Sequence, residues 1–185
     1  MVSKVAVCIE LVHKASILLD DFIDQDTARH GKPTFHTIHG IDRTVIYSLN
    51  ILSRSLKILN HVFYLYSNSN TFIWKSMNAL TTTLEEMTLG VLKELDLPDQ
   101  LNQNINVVRE IMHLETSALI TNRLLMGMYL AQIDNSDAIK IIERIGEKFG
   151  FILQALNDLE PFCNLKNSDH KGSINTDFSR SRKNW

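Results

Sequence analysis

An all-α fold is what this sequence predicts, on three observations. Apolar residues recur at three- and four-residue steps along most of the chain, the spacing of one helix face, while the strict alternation of a half-buried strand is scarce. Only seven glycines and three prolines punctuate 185 residues, so regular structure has few places to break. The chain is 44% hydrophobic and 22% charged, which suits one globular domain with a real core over residues 1–185.

The elements follow in order. A first helix is expected over Val2–Gln25, then a polar loop to about His39. A second helix covers Asp42–Tyr66. The stretch SNSN at 67–70 is a turn, because Ser and Asn side chains compete for backbone hydrogen bonds. A third helix covers Thr71–Leu95 and is closed by Asp96–Asp99 with Pro98. Leu101–Gln132 reads as one bent helix or two. A fifth helix runs from Ser136 to Leu159, where Pro161 should stop it. Residues 162–185 form a polar, basic segment, with SRSRK at 179–183, expected to be flexible.

Charge and cysteine content narrow the class. A net charge of −2 gives no reason to expect nucleic acid. Cys8 and Cys163 are far apart and lack Cys/His ligand spacing, which suggests reduced thiols and a cytoplasmic protein. The opening MVSKVAVCIELVHKASILL faintly resembles a leader. Glu10, His13 and Lys14 interrupt its apolar run, and no small-residue cleavage site follows. A signal peptide and a membrane span are both set aside.

Chemistry concentrates in ILLDDFIDQDTARHGKPTFH, residues 17–36. On a helix Asp20 and Asp24 share a face one turn apart, with Asp21 beside them. Three such anions repel one another in water, and a hard divalent cation relieves that. Mg²⁺ takes carboxylate oxygen, keeps several waters and completes its shell from phosphate. The negative end of a helix dipole adds to the need for a cation. By itself the cluster reads more readily as a solvated acidic helix end. Asn157 and Asp158, in FILQALNDLEPF, form a second polar pair within an apolar helix, with Gln154 one turn before Asp158. A buried carboxylate is costly unless paired or metal-bound; a capped helix end before Pro161 is the other reading. Arg29 has the planar fork that grips phosphate. Taken singly, it and Lys171, Arg180, Arg182 and Lys183 also read as exposed basic residues.

Together these pieces resemble the trans-isoprenyl diphosphate synthases, the polyprenyl synthetases of the class I terpenoid synthase fold. Glu10–His36 is similar to that family's first aspartate-rich region: an E-L-hydrophobic-H lead-in, DDxxD, then an Arg-Arg-Gly-x-Pro hook. Gly146–Phe162 is similar to its second, F-Q-x-x-D-D-x-x-D. The tail KGSINTDFSRSRKN resembles the segment that brings basic residues to the diphosphate. The resemblance implies an all-α bundle of the isoprenoid synthase type. It implies a Mg²⁺-dependent prenyltransferase joining an allylic prenyl diphosphate to isopentenyl diphosphate. The metals clamp the allylic diphosphate, its departure leaves an allylic cation, isopentenyl diphosphate attacks, and a proton is lost. By position, Asp20, Asp21 and Asp24 match the first metal triad and catalytic group, and Asp158 the second metal site. Arg29, His30, Gln154 and Arg182 fall at substrate-binding positions. Ala15 and Ser16 fall where bulky residues cap the tail pocket of short-chain members, so small residues there imply a longer product. A homodimer or heterodimer is implied as well.

The sequence departs from the family pattern at four points. His30 stands for the hook's second Arg, and a neutral imidazole offers one donor against five. Glu115, in HLETSAL, stands where a diphosphate-binding Lys is usual. Asn157 and Pro161 replace the outer aspartates of the second motif. The chain also reads as the centre of a longer fold, truncated at both ends, without the Gly-Gly-Lys segment and the closing helices. A terpene cyclase, a transferase to another acceptor, or an inactive subunit needing a partner are the alternatives these departures raise.

Overall fold

The computed structural model describes residues 1–66, 71–97 and 104–163, with the side chains at 158 and 160–163 outside the description. It is helical, as the periodicity predicts. In chain order the elements are α1 (Val2–Ile23), the two-residue strands β1 (Ala28–Arg29) and β2 (Lys32–Pro33), and α2 (Phe35–His39). After them come α3 (Ile41–Tyr66), α4 (Thr71–Leu95), α5 (Ile105–Met112), a π-helical turn (His113–Ser117), α6 (Ala118–Leu130) and α7 (Ser136–Cys163). Two compact units divide them, one formed by Met1–Val62 with the end of α7 from Leu159, the other by Phe63–Asp158.

In the first unit α1 buries Val5, Cys8, Val12 and Ala15, a three–four stripe that faces inward. The buried stripe of α3 is mostly small and polar: Thr44, Ser48 and Ser55, then Leu59 and Val62. Each hydroxyl is satisfied by backbone. Thr44 donates to the Gly40 carbonyl at 2.9 Å, Ser48 to Thr44 at 2.9 Å, and Ser55 to the Cys8 carbonyl on α1 at 2.9 Å. Burial of these hydroxyls therefore carries little desolvation cost.

In the second unit α4 packs on α6 and on the π turn. Its inner stripe is Ile73, Ser76, Leu80, Thr83 and Gly90, set against Leu114, Ala118, Leu119, Leu125 and Met126. Asn104 caps α5 by accepting from the Asn106 amide at 2.9 Å, and Asn135 caps α7 by accepting from Asp137 at 2.9 Å and Ala138 at 3.0 Å. Helix α7 meets the chain at two buried glycines. A Cβ on Gly146 would lie 2.7 Å from the Thr121 Cα, and one on Gly150 would lie 2.6 Å from the Ser117 Oγ. Only glycine allows that approach.

Two helices end on a glutamine in the left-handed region. Gln25 has φ 52° and Gln132 has φ 59°. At the first, Asp26 N–H reaches the Asp21 carbonyl at 2.8 Å and Gln25 N–H the Phe22 carbonyl at 3.0 Å. At the second, Ile133 N–H reaches Met128 at 3.0 Å and Gln132 N–H reaches Tyr129 at 2.9 Å. Both are Schellman endings, usually made with glycine.

Two expectations are corrected, and an open one is resolved. Helix α7 does not stop before Pro161 but continues to Cys163. Proline removes one backbone donor and crowds the preceding turn, which weakens a helix near its end without forbidding it. The loop after α1 is ordered into a hairpin and a short helix. Leu101–Gln132 resolves, from Ile105 on, into two α-helices joined by a π turn. No helix among the described residues is long and apolar enough to cross a membrane.

Candidate functional site

The carboxylates lie at the end of α1, where the dipole is negative. Successive helix positions diverge by about 100°, so Asp20 and Asp21 meet different surroundings. The Asp20 side chain is 53% exposed and that of Asp21 6%. Asp24, the C-cap, is half-buried.

The chain then folds back. β1 and β2 pair antiparallel, Ala28 with Pro33 and Arg29 with Lys32. The two residues between them are His30, φ 51°, and Gly31, φ 70°. Two positive φ values in a two-residue loop make the mirror-image turn that matches strand twist. The hook's His-Gly thus forms the turn itself. Thr34 locks the base of the hairpin: its hydroxyl donates to the Asp26 carbonyl at 2.6 Å and its amide to the Thr27 carbonyl at 3.1 Å. His36 on α2 lies edge-on to Phe22 of α1, with ring centres 6.2 Å apart.

The result is that Arg29 returns onto the aspartates. Its Nε donates to Asp21 Oδ1 at 2.5 Å and its Nη2 to Asp20 Oδ2 at 3.0 Å. Burial works against the guanidinium charge. The hydrogen bond to Asp21 and the charges of Asp21, Asp20 and Asp26 outweigh it and hold the proton more firmly than usual. Asp26 is 1% exposed and was not singled out from the sequence. Lying beyond the end of α1, it falls outside any helical spacing argument. His30 is exposed at the tip of the turn.

Gln154 belongs to the second unit. Its Oε1 accepts from the Thr116 hydroxyl at 2.7 Å, Thr116 lying in the π turn. Glu115 is in the same turn. Its side chain rests on Gly90, where a Cβ would come within 2.6 Å of its Cγ. Asn157 is exposed on α7; the Asp158 side chain and Arg182 lie outside the described residues. The structure brings Asp20, Asp21 and Arg29 together in one unit, and Thr116 and Gln154 in the other. Ala15 is fully buried in the first unit's core, and the Ser16 hydroxyl donates to the His13 carbonyl at 2.9 Å.

Among the described residues, no three His, Cys, Asp or Glu side chains stand close enough to hold one metal ion. Mg²⁺ needs fewer, since one or two carboxylates with waters and phosphate usually suffice. The hard oxygens of Asp20 and Asp24, one turn apart at a negative helix end, fit that requirement.

A family profile described as Polyprenyl synthetase matches residues 1–185. The chain belongs to the polyprenyl synthetase family. Among this polyprenyl synthetase chain's relatives is a geranylgeranyl diphosphate synthase of Methanosarcina mazei, 25% identical over 154 residues, covering 83% of this chain and 46% of that protein. A hexaprenyl pyrophosphate synthase of Saccharolobus solfataricus is 24% identical over 181 residues, covering 96% and 57%. Of solved structures, a Helicobacter pylori geranyltransferase complexed with magnesium and isoprenyl diphosphate superposes with a TM-score of 0.79 at 22% identity, over 94% of this chain and 57% of that one. The fold is therefore the all-α fold of those synthases. The chain spans about half the length of the curated relatives it matches.

Proposed function

We propose that this polyprenyl synthetase chain carries the allylic-diphosphate part of a Mg²⁺-dependent trans-prenyltransferase site, for condensation of an allylic prenyl diphosphate with isopentenyl diphosphate. One observation carries the reading: the hairpin returns Arg29 onto the exposed end of an aspartate-rich helix. Acid and base side by side there can meet both halves of a metal diphosphate.

Asp20 and Asp24 would hold a cation at the first motif, and Asp158 would be the ligand at the second. When bound, the cations supply charge stabilisation to the departing diphosphate. Arg29 donates its forked N–H groups to diphosphate oxygens. Gln154, whose Oε1 accepts from the Thr116 hydroxyl, would serve substrate binding. Arg182 adds positive charge toward the diphosphate, and His30 contributes a single donor where homoallylic diphosphate would bind. A second reading, transfer to another acceptor or a need for a partner chain, is favoured by two features. His30 stands at a homoallylic position, and Glu115 stands where a diphosphate-binding Lys is usual. Ile141, Ile145, Phe149, Ile152 and Leu156 line an exposed apolar stripe on α7, suited to a dimer contact or a partner chain. Two cysteines without ligand spacing are in keeping with a cytoplasmic setting.

The test is product analysis. The chain is incubated with Mg²⁺ and farnesyl diphosphate, with and without labelled isopentenyl diphosphate. Label in a longer prenyl chain supports elongation. Diphosphate release without incorporation supports another acceptor. We predict that Asp20→Ala abolishes Mg²⁺-dependent diphosphate release; an unchanged rate removes the metal argument.

A further inference from the structure

We propose that Arg29 is a built-in competitor for the cation at Asp20, and that Asp21 is the positioning residue that keeps it there. This rests on the metal-diphosphate reading above, and it turns on how unequally the two carboxylates hold one guanidinium. The Nε contact to Asp21 is short, at 2.5 Å, on a side chain 6% exposed; the Nη2 contact to Asp20 is longer, at 3.0 Å, on a side chain 53% exposed. Exposed ion pairs exchange at little cost, whereas breaking a buried one strands a charge. Arg29 is therefore anchored at Asp21 and exchangeable at Asp20.

The backbone around it is fixed on both sides. Asp26 N–H binds the Asp21 carbonyl, the Thr34 hydroxyl binds the Asp26 carbonyl, and the His30–Gly31 turn sets the length of the hairpin. The guanidinium cannot withdraw far from the helix end. A cation held by Asp20 would compete with Nη2 for that carboxylate. A diphosphate oxygen accepts the same N–H and draws it off, while Asp21 retains Nε. Diphosphate thus frees the carboxylate that the cation needs. Cation and diphosphate are coupled through one arginine, and each strengthens the other. The clasp offsets part of the negative charge at the acidic end while no substrate is present.

The experiment reads binding and needs no turnover. Mn²⁺ is titrated into the whole chain, followed by the resonance of the free ion, for the wild type, Arg29→Gln and Arg29→Lys. Thermal melting confirms that each variant is folded. Both variants are expected to bind Mn²⁺ about tenfold tighter. Lysine keeps the charge but cannot span two carboxylates with one planar fork. If Arg29→Lys matches the wild type while Arg29→Gln tightens, net charge alone acts and the clasp is refuted. Equal affinity in all three also refutes it. No Mn²⁺ binding in any of them overturns the metal reading itself, and the clasp with it. Asp21→Asn supplies an independent sign. Inorganic diphosphate is titrated in the presence of a chelator, without metal. Loss of a negative charge should tighten anion binding; loss of the anchor should weaken it. Weakening supports the positioning role and tightening overturns it. Should Asp21→Asn fail to fold, the arginine pair decides.

Discussion

Alanine at Gly150 should destabilise this protein, although alanine is the better helix former. The Cβ it adds would sit 2.6 Å from the Ser117 Oγ and 2.8 Å from the Ser117 Cβ, with the Ser117 Cα also inside contact range. Carbon atoms pack comfortably from about 3.5 Å. The obstacle is partly backbone, in a π turn, so no side-chain rotation removes it. The helices must part by about an ångström, and the hydrogen bond from the Ser117 hydroxyl to the Glu147 carbonyl, 3.2 Å, would be stretched with them. Overpacking of this kind costs about 1–3 kcal/mol. The gain from replacing a helical glycine is about 0.5–1 kcal/mol. Because the closest obstacle is backbone, the cost lies toward the top of the overpacking range, about 2–3 kcal/mol. The net loss is about 1–2.5 kcal/mol, or a fall in Tm of roughly 2–10 °C for a chain of this length. Gly127, in α6, is the control, because a Cβ there meets nothing within 4 Å. Gly127→Ala should raise Tm by the propensity term alone. Thermal unfolding followed by far-ultraviolet circular dichroism measures both. A rise in Tm for Gly150→Ala as large as that for Gly127→Ala would refute the close approach of α7 to the π turn.

Two further outcomes are expected. Gln132→Gly should stabilise by about 1 kcal/mol, since glycine relieves the left-handed strain at the end of α6; a lower denaturant midpoint would contradict that Schellman ending. Burial pushes the Cys8 thiol above its ordinary range, while hydrogen bonding from Ser55 and the backbone only partly offsets it. The folded chain keeps that proton after the unfolded chain loses it. Its contribution is therefore complete below the unfolded thiol's pKa of about 8.5 and is lost as pH rises through the folded value. Chemical denaturation across that range should show wild-type stability falling more steeply than that of Cys8→Ala; parallel curves would mean that the thiol is solvated.

Much of this was legible in residue pattern. Thr71–Leu95 lies where periodicity puts it, and α3 begins one residue before the expected Asp42, because long amphipathic segments with few breakers leave little choice. What pattern could not supply lies where the chain leaves that regime. The hairpin needs His30 in a left-handed conformation, which histidine adopts more readily than most residues but which its presence before Gly31 does not by itself require. The π turn costs one residue in a run that reads the same either way. At the site, the spacing of Asp20 and Asp24 was readable. The burial of Asp21 and Asp26 was not, because it depends on what the hairpin brings back over them. The contact between Thr116 and Gln154 joins residues far apart in the chain.

The wide turn at His113–Ser117 also bears on how this protein can vary. A π turn holds one residue more than the α turn it replaces, and each added residue offsets everything after it by about 100°. Helices α5 and α6 are therefore a single rod in two phases. Deleting one position within 113–117 would leave an unbroken helix and both apolar stripes intact. It would also swing Thr121 away from Gly146 and Thr116 away from Gln154. The whole set of side chains that α6 offers to α7 can be exchanged by a change of length, with no substitution at any of them.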